Sequence, residues 1–341
     1  MKRICVAMAL LLASGLALVG CGGNSETGPG TGVRSDPVQI EALRVHHPQT
    51  LAFAAPFEFF DTGGRLEGSV GRIDRDVWAS PDVLRSLLLN GESDVTAVPT
   101  YVGANLFQRG IDTRLAAVTV WGLLWLVGPE GTTPDWDSLR GTTISVPFPN
   151  DMPDLVFRRL ARENGLVPGE DFEIEYAAQP TEIVARLVSG RADFAVLPEH
   201  VATVALAQAI QQGRDLVRVL DMQQEWADAL GGAARIPQAG VVVPTSIAER
   251  PELLAGILDE LEAAADRVNA AEPDTVRRLA EASGLPAPVV AQVIPRLNIE
   301  VVPAAEARQE LERFYSELAA LSPDIIGGEL PDDEFYLQDP R

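Results

Sequence analysis

Beyond residue 21 the chain has no cysteine; the two it contains are Cys5 and Cys21. That excludes disulfides and any cysteine-built metal site from the remainder. Lysine is scarcer still, with Lys2 the only one, so nearly all of the 27 basic residues are arginine. No lysine is left in the body to form a Schiff base with pyridoxal phosphate. Histidine occurs at His46, His47 and His200 only, so a three-histidine metal centre would need all of them. No HExxH, Walker A or GxSxG pattern occurs. Positive charge is also short: the net charge of −22 argues against nucleic acid as a partner. An acidic, lysine-poor chain suits a salty medium, where screening softens self-repulsion; the codon bias of a GC-rich genome would leave the same mark. No enzyme, no cofactor and no metal is expected from this inventory.

What is present is a repeat. Asn90-Gly91-Glu92-Ser93-Asp94-Val95-Thr96-Ala97-Val98-Pro99 has a near copy 99 positions on, Ser189-Gly190-Arg191-Ala192-Asp193-Phe194-Ala195-Val196-Leu197-Pro198. Gly, Asp and Pro recur in register, and Pro81 pairs with Pro180 at the same offset. A second echo, at an offset of 101, sets Val45–Thr50 against Val146–Asp151. One α/β unit built twice makes two lobes facing a cleft, and a cleft points to ligand binding.

The N-terminus reads as a targeting signal. Lys2 and Arg3 precede an apolar run from Ile4 to Val19 that ends Leu18-Val19-Gly20-Cys21, the form of a bacterial lipoprotein signal in which Cys21 is lipidated. Residues 1–20 are the expected signal peptide. Residues 21–37 are rich in Gly, Ser, Thr and Pro and form a tether, spanning roughly 20–24 Å at about 5–6 Å × √n. The chain is therefore expected outside the cell membrane, lipid-anchored and facing the periplasm or the exterior. An ordinary membrane helix is the alternative, but the run is short for a span.

From Val38 strands and helices alternate, which gives α/β lobes. A strand is expected over Val38–Val45, a helix from Pro81 with Ser80 as cap, and a strand over Asp94–Val98. The apolar stretch Leu115–Val127 is too long for one strand and should break near Trp121-Gly122. The second half repeats the plan: strand Ile144–Val146, a helix opening near Asp151 and ending at Asn164-Gly165, strand Phe172–Tyr176, helix Pro180–Val188, strand Asp193–Leu197, helix Glu199–Gln212. Ala239–Val243 is one more strand, and helices follow from Pro251.

Three segments, from Asp154-Leu155-Val156-Phe157 to Gly165-Leu166, from Gly190-Arg191-Ala192-Asp193 to Leu197-Pro198-Glu199, and Gly327 to Tyr336, resemble the substrate-binding proteins of ABC importers of the nitrate, sulfonate and taurine type, which include thiamine-precursor binders. The resemblance covers about Val38 to Tyr336. It implies a type II two-lobe periplasmic-binding-protein fold with two crossing strands, expected at Trp121–Val127 and Gln238–Val243. It also implies lobe 1 over 38–126 and 238–322, lobe 2 over 127–237, a C-terminal tail over 323–341, and a monomer delivering its ligand to permease and ATPase subunits. A ligand-sensing protein for a membrane receptor, or a pyrimidine- or menaquinone-pathway enzyme on the same fold, are the alternatives.

Ligands in such lobes meet strand ends and helix N-termini. The candidate ligand-binding residues are therefore His46, His47, Gln49, Thr50, Thr100, Tyr101, Trp121, Asn150, Asp151, Met152, Glu199 and His200. None is Arg or Lys, and two are carboxylates, which leans toward a neutral or cationic nitrogenous ligand, a heterocycle or an amine, over a simple anion, with a sulfonate-type ligand left open. The plainer readings are an exposed turn for His46-His47, helix caps for Asp151 and Glu199, and core for Trp121. Thr100 and Glu199, equivalent positions that differ, are where ligand choice is expected to be written.

Overall fold

The computed structural model describes residues 40–341; the expected signal peptide, Cys21 and the tether lie outside them. In chain order the strands and helices are β1 (Ile40–His47), α1 (Leu51–Ala54), β2 (Val70–Val77), α2 (Pro81–Leu89), β3 (Val95–Pro99), α3 (Thr100–Gln108), β4 (Arg114–Val120), β5 (Leu124–Pro129), β6 (Thr143–Pro147), α4 (Met152–Glu163), β7 (Glu173–Ala177), α5 (Pro180–Ser189), β8 (Phe194–Pro198), α6 (Glu199–Gln211), β9 (Leu216–Asp221), α7 (Met222–Leu230), β10 (Ala239–Val243), α8 (Thr245–Ala248), α9 (Pro251–Asn269), α10 (Pro273–Ser283), α11 (Ala287–Val293), β11 (Ile299–Pro303) and α12 (Ala304–Leu321).

The strands form two sheets, ordered β11-β4-β10-β3-β1-β2 and β7-β6-β8-β5-β9. In each, three parallel strands (β2-β1-β3, β7-β6-β8) are continued by an antiparallel one, β10 or β5. The two sheets are thus one plan used twice, and the fold is the two-lobe α/β arrangement the resemblance implied.

The echoed Gly–Asp–Pro pattern has a mechanical reason. Asp94 accepts the backbone N–H of Arg44 at 2.8 Å, and Asp193 accepts that of Thr143 at 2.8 Å. The reciprocal bonds, Asp94 N–H to Arg44 O and Asp193 N–H to Thr143 O, are both 2.9 Å. Each aspartate pins the start of its strand to the neighbouring parallel strand. Parallel pairing has no hairpin to set its register, so this clasp supplies what a turn would.

Strand register corrects the second echo. Val45 lies beside Val95 and Ile144 beside Phe194, so Val45 corresponds to Ile144, not Val146. The offset grows to 101 only in the following loop, where lobe 2 carries two more residues. That loop holds Phe148 and Asn150 at φ of 53° and 60°, a conformation that disfavours bulky side chains. Buried Asp154 anchors it by accepting the Asn150 N–H at 2.8 Å and the Tyr176 hydroxyl at 3.0 Å, with Arg158 3.1 Å away.

The helices start as their sequences direct. Ser80 caps α2 through the Val83 N–H, Asp151 caps α4 through the Met152 N–H, and Asp221 caps α7. Thr50 sits at the N-cap of α1 but makes no side-chain cap bond. The β9–α7 pair and β11, not anticipated from the sequence, complete the edges of the two sheets.

The chain passes between sheets through Trp121-Gly122-Leu123 and again through residues 231–238 between α7 and β10, which corrects the expected crossings: the first is shorter and the second lies earlier in the chain, because Leu124–Pro129 and Ala239–Val243 belong to the sheets themselves. The crossings are tied together by Ile236 N–H to Trp121 O at 3.2 Å and Gln238 N–H to Val120 O at 2.9 Å. Gly122, at φ 106°, makes the sharp passage, and a Cβ there would fall 2.4 Å from the Gln223 side chain. That side chain clasps Leu124 by accepting its N–H at 2.9 Å and donating to its carbonyl at 3.2 Å. Helix α12 reaches the other lobe through an Arg159–Glu317 ion pair. The C-terminal segment packs firmly: Phe335 and Tyr336 are buried, and the Leu115 N–H bonds Phe335 O at 2.7 Å.

Candidate functional site: the cleft between the sheets

A cavity of about 540 Å³ lies where the two sheets face each other, lined from both. Its wall follows the repeat. Thr50 answers Asp151, Ser80-Pro81 answers Gln179-Pro180, Pro99 answers Pro198, and Tyr101 answers His200. Leu123 and Gln238 bring in the crossings, and Phe53, Trp78, Leu84, Val102, Leu124 and Phe148 make much of the remainder apolar. This size and mixture suit a small organic molecule.

The structure brings Thr50, Tyr101, Asp151, Met152 and His200 to this wall. It places the other candidates elsewhere. His46 and His47 are the last residues of β1, 8% and 6% exposed, rather than an open turn. His46 bonds Ser93 Oγ at 2.8 Å beneath the sheet, while His47 stacks on Phe57 and, with Gln49, lines a separate cavity of about 350 Å³. Thr100 is fully buried and donates to Pro237 O. Asn150 sits in the strained loop with its Oδ1 toward Arg158. Trp121 is buried, donates to Glu300 O at 3.0 Å and lies under the Arg235 guanidinium, 4.0 Å from its ring centre. Glu199 is wholly buried and takes Arg218 by two hydrogen bonds and Thr203 by a third.

Thr100 and Glu199 thus turn back into the scaffold, where Pro237 O and the Arg218 guanidinium take their side chains. The side chains that differ on the cavity wall are one residue on, Tyr101 and His200. The signal was available at the same 99-residue offset. Gln238, Gln179 and Phe148 were not anticipated; Gln238 sits in a crossing and Phe148 in the two-residue insertion, and no repeat marks either as special.

Three features set the chemistry. First, among the described residues no Lys or Arg lines the cavity, and Asp151 is the one carboxylate beside neutral polar groups. Asp151 Oδ1 accepts the Tyr101 hydroxyl from the opposite lobe at 2.6 Å and the Met152 N–H at 2.8 Å. Burial, then the Asp151 charge, pushes the Tyr101 hydroxyl well up, so it stays a donor. Second, seven lining residues are proline: Pro48, Pro81, Pro99, Pro147, Pro153, Pro180 and Pro198. A proline offers a carbonyl but no N–H, so the free donors of these helix starts fall to the residues that follow, Tyr101 and Val102 in α3 and His200 in α6. Third, two lining side chains each hold a buried atom with no hydrogen-bond partner among the described residues, His200 Nδ1 and Gln238 Oε1.

Burial holds the His200 pKa down at about 4, so the ring is neutral at physiological pH. The consequence is a pH-dependent stability. Below the unfolded value of 6.5, the unfolded chain takes up a proton that the folded chain refuses. Stability therefore falls as pH drops from about 6.5 toward 4, by up to roughly 3 kcal/mol. Denaturant titrations at about pH 7 and pH 5 should show this loss in the native protein and a smaller one in His200→Phe.

Among the described residues no group of three His, Cys, Asp or Glu is placed to hold a metal, and no helix is long and apolar enough to cross a membrane.

No family model and no curated protein matches the sequence. Solved structures do match. An ABC transporter protein from Parabacteroides distasonis superposes with a TM-score of 0.71 at 24% identity, over 88% of this chain and 99% of the other. The periplasmic aliphatic sulphonate binding protein SsuA from Escherichia coli matches with a TM-score of 0.65 at 18% identity, over 87% and 92%. The periplasmic nitrate-binding protein NrtA from Synechocystis PCC 6803 gives 0.60 at 13%, over 85% of each. In fold, then, this chain is a two-lobe α/β protein of the kind shared by the sulfonate- and nitrate-type substrate-binding proteins of ABC transporters.

Proposed function

We propose that this chain is the solute-binding component of an ABC importer, exported and lipid-anchored through Cys21, with its lobes divided where the chain changes sheets. It captures a small polar solute by lobe closure and hands it to a membrane permease driven by an ATPase. The observation that carries this reading is a cavity built from equivalent positions of two repeated lobes and spanned by the Tyr101–Asp151 hydrogen bond. A ligand held there touches both lobes, and only such a ligand favours the closed form over the open one. The fold likeness to transporter binding proteins agrees with it.

The solute that fits is neutral or cationic and nitrogenous. A lone carboxylate repels anions and pairs with amines, amidines or protonated heterocycles, and Trp78 and Phe148 offer aromatic surface beside it. The test is a screen that reads both thermal midpoint and small-angle scattering. Its panel holds amines, pyrimidines and thiamine beside nitrate, taurine and alkanesulfonates. An amine or heterocycle should stabilise the protein by about 2.7 kcal/mol at a hundred times its Kd and shrink its radius of gyration. If no solute does both, the importer reading falls.

A further inference from the structure

Most aromatic rings of this protein are engaged with one another or with arginine. Phe157 packs on Trp136 and Phe172, Trp226 on Phe314, and Phe335 on Phe107 and Tyr336. Trp121, Trp125 and Phe59 each lie under a guanidinium. The rings on the cavity wall, Phe53, Trp78, Tyr101 and Phe148, differ. None of them has an aromatic or guanidinium partner among the described residues. Two are held by their polar ends: the Trp78 indole N–H donates to Ala97 O at 3.0 Å, and the Tyr101 hydroxyl donates to Asp151.

Phe148 alone of these comes from lobe 2, and its position is costly. It stands at φ 53°, a conformation that strains a bulky side chain, and it is 39% exposed. Its backbone is fixed on both sides: its N–H donates to Ala177 O at 3.2 Å, and its carbonyl accepts the Asp151 N–H at 3.0 Å. Buried Asp154 pins the same loop through the Asn150 N–H. The loop is also where lobe 2 exceeds lobe 1 by two residues. Strained residues persist where their surroundings over-determine them, and they cluster at ligand clamps. An exposed ring on a strained backbone does little for the fold.

We propose that Phe148 is a specificity-determining residue, the lobe 2 side of an aromatic clamp completed by Phe53, Trp78 and Tyr101 of lobe 1. The clamp selects a flat, unsaturated ring over a saturated ring with the same head group. This rests on the importer reading and adds the shape of the solute to it, independent of its charge. A flat ring meets aromatic side chains in offset-stacked or edge-to-face contact, which a chair-shaped ring cannot match. A ring touching Phe148 and the lobe 1 aromatics together is fully covered only when the lobes are closed.

The experiment uses two matched pairs of probes, benzamidine with cyclohexanecarboxamidine and benzenesulfonate with cyclohexanesulfonate. Binding is read by calorimetry and closure by scattering, in the native protein, Phe148→Leu and Phe148→Tyr. Within the pair that binds, the flat member should bind about 10-fold tighter to the native protein. Phe148→Leu should abolish that preference, and Phe148→Tyr should retain it. Phe148→Leu keeps the apolar bulk, so its ligand-free thermal midpoint should stay within about 2 °C of native. A large drop in that midpoint would make the ring structural and overturn the inference. Equal affinity within the binding pair, or a preference unchanged in Phe148→Leu, would also overturn it and leave the importer reading standing. Binding by the sulfonate pair alone, with the flat member preferred, would support the clamp and reverse the charge assigned to the solute. Failure of all four probes to close the lobes would count against both readings.

Discussion

Arg218→Met lowers the thermal midpoint by on the order of 10 °C, the largest stability effect expected of any single polar replacement near the cleft. Glu199 begins α6 with no solvent exposure, and Arg218 from β9 meets it through Nε at 2.9 Å and through Nη2. Thr203 donates to the same carboxylate at 2.8 Å, and Arg296 stands 3.8 Å away. Burying two charges gains little net energy while the pair is whole. Removing one partner leaves a carboxylate with most of its solvation lost, which costs roughly 3–5 kcal/mol. At about 2–4 °C per kcal/mol for a domain of this order, the drop is large enough for a simple melt. The double variant Glu199→Met/Arg218→Met should recover most of it, since neither charge then remains unpaired. Were the double variant as unstable as the single one, α6 would depend on the pair for packing rather than for charge balance.

Asp151→Ala weakens a cationic solute by about 100-fold, or about 2.7 kcal/mol. Three things go at once. The Met152 N–H loses its cap, at about 1 kcal/mol of stability. The 2.6 Å bond from Tyr101 across the cleft is lost. So is the one carboxylate that the described residues place on the wall. Asp151→Asn separates these, because an amide oxygen can still cap α4 while carrying no charge. Its solute affinity should fall nearly as far as in Asp151→Ala while its melting point stays closer to the native value. Tyr101→Phe should leave charge pairing in place and weaken closure alone. Calorimetry at two salt concentrations checks the assignment, since a charge pair at the partly open cleft weakens with salt. Equal affinity of the native protein and the Asp151→Asn variant for benzamidine would remove Asp151 from the site.

Much of the scaffold was readable in one dimension because it is written in local rules. Ser80-Pro81 and Asp151 start helices by capping, and Gly190 closes α5 in the left-handed conformation at φ 73°. The break at Trp121-Gly122 divides β4 from β5, and the echoed Asp94 and Asp193 marked the strands they clasp. The strand β9, Leu216–Asp221, was not expected although Gly213 at φ 70° stops the helix before it and Asp221 caps the helix after it. Its importance is tertiary: it supplies Arg218, the partner that turns Glu199 inward.

The cleft wall was less readable for the same reason. A sequence names which residues stand at a helix start, but a single rotation about the helix axis decides which of two successive side chains faces the cavity. Thr100 and Glu199 found partners behind them in Pro237 and Arg218, so Tyr101 and His200 took the wall. Trp121 was drawn into the core beneath Arg235. The sequence by itself determined that one α/β unit is used twice, that Asp and Pro recur at its strand ends, and that cations are scarce there. Only the tertiary structure decided which polar groups are left without partners, because a hydrogen bond is satisfied or orphaned by neighbours from distant parts of the chain. Gln238 is orphaned on the cleft wall while Glu199 is satisfied beneath it.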